Sequence, residues 1–177
     1  MEIYKYLDQI QIELLNHSWQ EIEVKYYSLC SKLVGEEQAK RIQNIDIDLF
    51  QNKLEDAFSA ALHIADKNSA AAIYFEYDID NDWQSIFFVC DEYTELSEEN
   101  DDWASDWSNE IEGPDLKEFA SIYAENGFDA TEKALGTTLY LIVRTVILFG
   151  KIVETAKKHI PICIGFHDQD PIMRIQE

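Results

Sequence analysis

Between Asn68 and Leu116 the chain contains no lysine, arginine or histidine. A surface built from that stretch repels nucleic acid, acidic lipid and phosphorylated substrates, so nucleic-acid binding is excluded. Glycine is scarce as well, with six residues in the whole chain. No glycine-rich phosphate loop can be drawn from them, and no serine or cysteine sits in a nucleophile elbow. The cysteines, Cys30, Cys90 and Cys163, are odd in number and far apart. That spacing fits neither a zinc site nor a thioredoxin-type pair, and buried thiols are expected. Residues Met1 to Leu15 lack the basic flank and continuous apolar run of a signal peptide, so the expected location is the cytoplasm. The most apolar run, Leu139 to Phe149, is broken by Arg144 and Thr145 and is shorter than the roughly 20 residues that span a bilayer.

What the acidic stretch does hold is carboxylates and three of the four tryptophans: Trp83, Trp103 and Trp107. Formal charge is -21 over 177 residues. The partners such a field attracts are cations: metal ions, polyamines or a basic protein. For a basic protein, steering of this kind raises the association rate by about 10 to 10³ at low salt. The plainer alternative is a solvated face that keeps the protein soluble. Solvated acidic tails, however, are normally poor in aromatic residues.

The composition, 46% hydrophobic and 12% aromatic, is that of one globular domain covering residues 1–177. Ile3, Leu7, Ile10 and Leu14 fall at helical spacing, giving an amphipathic helix that ends near Asn16. Leu49, Leu54, Phe58, Ala61, Leu62 and Ala65 give another, opened by Asp46 or Asp48. Both are expected to pack on a sheet. A third helix runs from Ala130 to Lys158, with Asp129 or Thr131 as N-cap and Leu135, Leu139, Ile142, Val146, Phe149 and Val153 as its buried stripe. Lys151, Lys157, Lys158 and His159 gather near its C-terminus, where cations complement the helix dipole, and Pro161 ends it. Within it, Gly136 and Gly150 point to close approach by a neighbour. Strands are expected at Glu21 to Cys30, Ala72 to Ile79, Ser85 to Tyr93, Ile160 to His167 and Ile172 to Gln176. The turns Asp80-Asn81-Asp82 and Asp168-Gln169-Asp170-Pro171 make hairpins of the last four. The expected class is α+β, an antiparallel sheet of about five strands against three or more helices.

From Thr94 to Gly113 there is neither helical nor strand periodicity, and a loop of that length is usually functional or disordered. At four-residue spacing Trp103 and Trp107 share one face of a helical turn, with Asp102, Asp106 and Glu110 as an adjacent acidic stripe. Two arrangements satisfy this pattern: tryptophans folded onto the core, or tryptophans facing a partner. Trp83, just after the acidic turn, is open in the same way.

The patterns of known chemistry fit poorly. Asp78, Asp80 and Asp82 have the first three ligand spacings of an EF-hand, but Trp83 stands where that loop needs glycine and Val89 where it needs glutamate. Asp101, Asp102 and Asp106 offer oxygens for weak, nonspecific Mg²⁺ or Ca²⁺ binding. His17, His63, His159 and His167 show no metal-ligand pairing. His167 beside Asp168 and Asp170 matches an acid/base constellation, and a polar hairpin tip explains it equally well.

The block Ala72-Ile73-Tyr74-Phe75-Glu76-Tyr77-Asp78, then Trp83, Phe87-Phe88-Val89-Cys90 and Asp101-Asp102-Trp103-Ala104-Ser105-Asp106-Trp107, resembles small bacterial immunity proteins of polymorphic or contact-dependent toxin systems. The resemblance is one of acidic and aromatic pattern, and immunity proteins are too diverse for residues to be carried over by position. It implies a cytosolic α+β inhibitor that binds a toxin domain, often a basic nuclease, and blocks its active site or an adjacent surface. Such a protein is no enzyme and needs no cofactor. The candidate partner-binding residues are Asp78, Asp80, Asp82, Trp83, Glu98, Glu99, Asp101, Asp102, Trp103, Asp106, Trp107 and Glu110. A metal-assisted hydrolase using the acidic cluster and a nucleic-acid mimic are the competing readings. High net charge favours a monomer or a weak dimer.

Overall fold

The computed structural model describes residues 2–156 and 159–177, so the expected helix-ending cations Lys157 and Lys158 lie outside the described residues. The fold is α+β. Its elements are α1 (Ile3–Leu14), α2 (Trp19–Val34), α3 (Glu36–Gln43), α4 (Asp48–Asn68), β1 (Ala72–Asp78), β2 (Gln84–Cys90), β3 (Trp107–Glu112), α5 (Lys117–Asn126), α6 (Glu132–Ala156), β4 (Ile162–Phe166) and β5 (Met173–Gln176). The chain divides into two compact units, Met1–Ile47 with Lys117–Lys151, and Asp48–Leu116 with Ile152–Glu177.

The first unit is helical. Its α2 replaces the strand expected from Glu21 to Cys30: Ile22, Tyr26 and Cys30, four residues apart, are buried, while Val24 is 53% exposed. Ser18 decides the matter locally. Its N–H donates to Glu21 Oε2 at 2.8 Å, and Glu21 N–H donates back to Ser18 Oγ at 3.4 Å. This capping box satisfies two orphan donors and starts a helix where alternation alone reads as a strand. Glu21 is held below the usual carboxylate range by the Ser18 backbone N–H.

Thr131 caps α6, accepting from Ala134 N–H at 3.0 Å, whereas Asp129 accepts from Ile3 N–H at the start of α1. The expected stripe of α6 is buried, and so are Tyr140, Leu141, Val143 and Ile147 on its other sides. A helix apolar all round is a core helix or a membrane span. It is the one described helix long and apolar enough to cross a membrane, and 89% of that apolar window is buried inside the protein. The two glycines of α6 explain its fit to α2. A Cβ on Gly136 would lie 2.9 Å from Leu33 Cβ, and one on Gly150 would lie 2.2 Å from the Trp19 ring. Because Trp19 opens α2 and Leu33 nears its end, the two helices run antiparallel. Arg144 of α6 donates to the Ile42 carbonyl with its guanidinium over the Phe119 ring, and Arg41 forks onto Glu125 at 2.7 and 2.8 Å. Contrary to expectation, α1 belongs to this helical unit rather than to the sheet unit.

The second unit is built on a five-stranded sheet in the order β3-β2-β1-β4-β5. Both expected hairpins form, but β1 pairs parallel with β4, so the sheet is mixed. The chain leaves after β3, builds α5 and α6, and returns as β4; a long crossover of that kind is what parallel pairing requires. On one face, α4 packs Phe58 against Phe87, 5.8 Å between ring centroids, with Phe75 stacked on Phe87 at 4.8 Å. Phe50 takes the buried place expected of Leu49, which is 69% exposed. At the β1–β2 turn Asp82 and Trp83 adopt left-handed backbone, φ 52° and 55°. For a tryptophan this costs about 1–2 kcal/mol. Full burial of its ring, stacked on Tyr77 at 5.5 Å, offsets that cost.

A candidate protein-interaction surface

Period-two alternation places Tyr74, Glu76 and Asp78 on the sheet face opposite α4, with Ile86, Phe88 and Cys90 beside them. The segment between β2 and β3 folds over part of this face. It contains two 3-10 turns, Leu96–Glu98 and Asp102–Ser105. Trp103, 3% exposed, completes a second core with Ala72, Tyr74, Cys90, Cys163 and Ile172. Its ring meets Tyr93 edge-on at 5.2 Å and lies 5.2 Å from the Arg174 guanidinium.

Three residues of the expected contact set turn inward, and Asp101 among them still borders a surface hollow. Trp83 and Trp103 are interior, buried because each has an aromatic or cationic surface to cover. Asp101 faces inward, binding Arg174 Nη1 at 2.7 Å and the Ile172 N–H at 2.6 Å. Nor do Trp103 and Trp107 share a helical turn: the first lies within a 3-10 turn, while the second opens strand β3, inside the stretch expected to be loop.

Trp107 is the tryptophan of the acidic segment that reaches solvent, 41% exposed and packed on Phe88 at 5.1 Å. Glu98, Glu99, Asp102, Asp106 and Glu110 are exposed too. Glu99, Asp102 and Trp107 line a hollow of about 820 Å³ whose other wall carries His167, Asp168 and Asp170. A neighbouring hollow of about 980 Å³ is lined by Asp78, Ile86, Glu112 and Lys53. Glu76, Phe88 and His167 border both. Asp80 and Asp82 are exposed at the hairpin tip and line neither; Asp78 closes that turn by accepting from Asp80 N–H at 3.0 Å.

Glu76, Glu112, Asp168 and Asp170 were absent from the expected set. Alternation along β1 marks Glu76 as sharing a face with Asp78, but only the parallel pairing of β1 with β4 puts His167 next to it. His167 Nδ1 lies 3.1 Å from Glu76 Oε1, and Tyr74 donates its hydroxyl to Glu76 Oε2 at 3.2 Å. The hydrogen bond to Glu76 raises the His167 pKa above its ordinary 6.5, with Asp168 and Asp78 adding to the effect. His167 thus finds its carboxylate across the strand pair, 3.8 Å being the approach of its other nitrogen to adjacent Asp168.

The nearby thiols are poor nucleophiles, since burial pushes Cys90 up to about 12 and Cys163 higher still. Among the described residues no group of three or more His, Cys, Asp or Glu side chains is arranged to hold a metal ion. The two hollows together present an anionic, partly aromatic surface on one face of the sheet. No protein-family model, curated protein or solved structure matches this chain.

Proposed function

We propose that the protein is an acidic inhibitor of the immunity type, acting in the cytoplasm by capturing a basic protein, the catalytic domain of a toxin such as a nuclease. The observation that carries this reading is Trp107, exposed on a sheet edge beside Asp102, Asp106 and Glu110. The field of the whole protein steers a cationic surface inward. Trp107 then supplies apolar contact area of the kind enriched among binding hot spots. Carboxylates desolvated around it gain by pairing with Lys or Arg, and close pairs of this sort couple by about 1.5 to 7 kcal/mol.

The test is co-expression of the tagged chain with its neighbouring open reading frame and capture at low and high salt. The expected result is one basic protein in near-equal amount, released as salt rises, whose toxicity or nuclease activity is suppressed in the complex. Capture of many unrelated basic proteins would favour a nucleic-acid mimic. A verified partner that binds an Asp102→Asn, Asp106→Asn, Glu110→Gln variant unchanged would overturn the assigned surface.

A further inference from the structure

β3 is the outermost strand of its sheet, and among the described residues no strand pairs with its outer side. The direction of its backbone groups follows from the ladder. Gly113 N–H donates to the Ser85 carbonyl at 2.8 Å, within the register that pairs Phe87 with Ile111 and Val89 with Asn109. Hydrogen-bonded and non-bonded pairs alternate along an antiparallel ladder. Ile111 and Asn109 therefore bond inward to β2, while the N–H and C=O groups of Glu110 and Glu112 point away from the sheet.

The opposite edge is dressed differently. Near β5, Arg174 donates to the Thr94 carbonyl, and Glu177 accepts from Leu96 N–H and the Tyr93 hydroxyl, so the segment after β2 is tied down there. Along β3 the ties are between side chains, Asn68 at the end of α4 donating to Asn109 Oδ1 at 2.7 Å and Ser108 donating to Asp91 at 2.9 Å, while Glu110, Glu112 and Trp107 are exposed. Exposed edges template pairing with another chain, and charge on the edge selects against the wrong one. A second copy of this chain would set Glu110 and Glu112 against their own like charges, which destabilises cross-strand pairs. An extended segment bearing Lys or Arg at alternate positions meets opposite charge instead, on the same sheet face as Trp107.

We infer that β3 is a docking edge for a basic β-strand of the partner, which joins the sheet beside Glu110 and Glu112. This rests on the basic-partner reading above and specifies how that partner is held: main-chain bonds supply affinity, and the alternating carboxylates supply selection.

The experiment uses the full chain and two synthetic peptides of about eight residues, a strand's length, alternating Lys with Val. In one of them every second amide is N-methylated, which keeps its charge and removes strand donors. The unmodified peptide is expected to slow hydrogen exchange at the Glu110 and Glu112 amides and to bind roughly tenfold or more tightly than the N-methylated one. In the protein, Glu110→Pro removes an outward donor without touching the inward ladder. It is expected to bind the peptide roughly fivefold more weakly than Glu110→Gln, which loses the charge alone. Equal binding of both peptides, with no slowing at those amides, would overturn the docking edge and leave electrostatic capture standing. Absence of salt-sensitive binding by either peptide would overturn both readings. Slowed exchange at Glu110 and Glu112 in the protein alone, rising with concentration, would show self-pairing and overturn the choice of a basic strand.

Discussion

Arg174 and Asp101 form a buried ion pair: Nη1 to Oδ1 is 2.7 Å, with the arginine side chain 2% exposed and the aspartate 17%. Asp101 also anchors the Ile172 N–H, so one carboxylate fastens the segment between β2 and β3 to strand β5 and its approach. Removing it strands a guanidinium beneath Trp103. Asp101→Ala is expected to cost about 3–5 kcal/mol. Asp101→Asn, which keeps an acceptor for Ile172, is expected to cost less, about 1–3 kcal/mol. Urea denaturation of both variants measures this, and a loss within 1 kcal/mol for Asp101→Ala would mean that the pair does not hold the segment.

Neighbouring carboxylates are expected to behave in the opposite way. Asp102, Asp106 and Glu110 are exposed, so neutralising them together should leave stability within about 0.5 kcal/mol. The same change should slow association with a basic partner by about tenfold at low salt. Stopped-flow rates against ionic strength provide the check: the slope must flatten in the variant, and an unchanged slope counts against this surface.

His167 is expected to titrate above 6.5 in the folded protein because Glu76 favours its charged form. Glu76→Gln should bring the imidazole back toward its ordinary value, which an NMR titration reads directly. Since the folded pKa is the raised one, the pair's stabilisation is fully present below about pH 6.5 and fades as pH rises through the folded value. At a histidine this exposed the gain is about 1 kcal/mol or less. Denaturation of wild type and His167→Gln should therefore differ more at pH 5.5 than at pH 8.5; a difference independent of pH would sink the assignment.

Cys30, Cys90 and Cys163 are all free and buried, and burial pushes Cys30 and Cys90 up to about 12. An aromatic disulfide reagent should leave the native protein unlabelled and modify all three thiols in denaturant. Rapid labelling of any one in the native state would contradict its burial.

Tryptophan fluorescence separates the outward ring from the inward ones. Caesium ion, drawn to the acidic surface, should quench Trp107 most and the half-buried Trp19 less, while Trp83 and Trp103, at 0% and 3% exposure, are protected. Trp107→Phe is expected to remove most of the caesium-sensitive signal, and retention of that signal would relocate the exposed aromatic.

The amino-acid sequence by itself determined the α+β class, the helical stripes of α1, α4 and α6, the two hairpins and the interior thiols. Each rests on spacing along the chain or on composition, and neither needs a distant partner to be read. The strand expected from Glu21 to Cys30 is a helix instead, because the capping box of Ser18 and Glu21 outweighs the apparent alternation of Ile22, Val24 and Tyr26. Which acidic and aromatic residues face outward was decided by tertiary structure alone. Trp103 and Trp107 have similar neighbours in sequence, yet one covers Tyr74 and Arg174 while the other opens an edge strand. Asp101 and Asp102 are adjacent, and the difference between them is an arginine 73 positions away in the chain. The His167 and Glu76 pair likewise exists only because β1 and β4 lie side by side in parallel, a pairing made across a long crossover that local patterns do not encode.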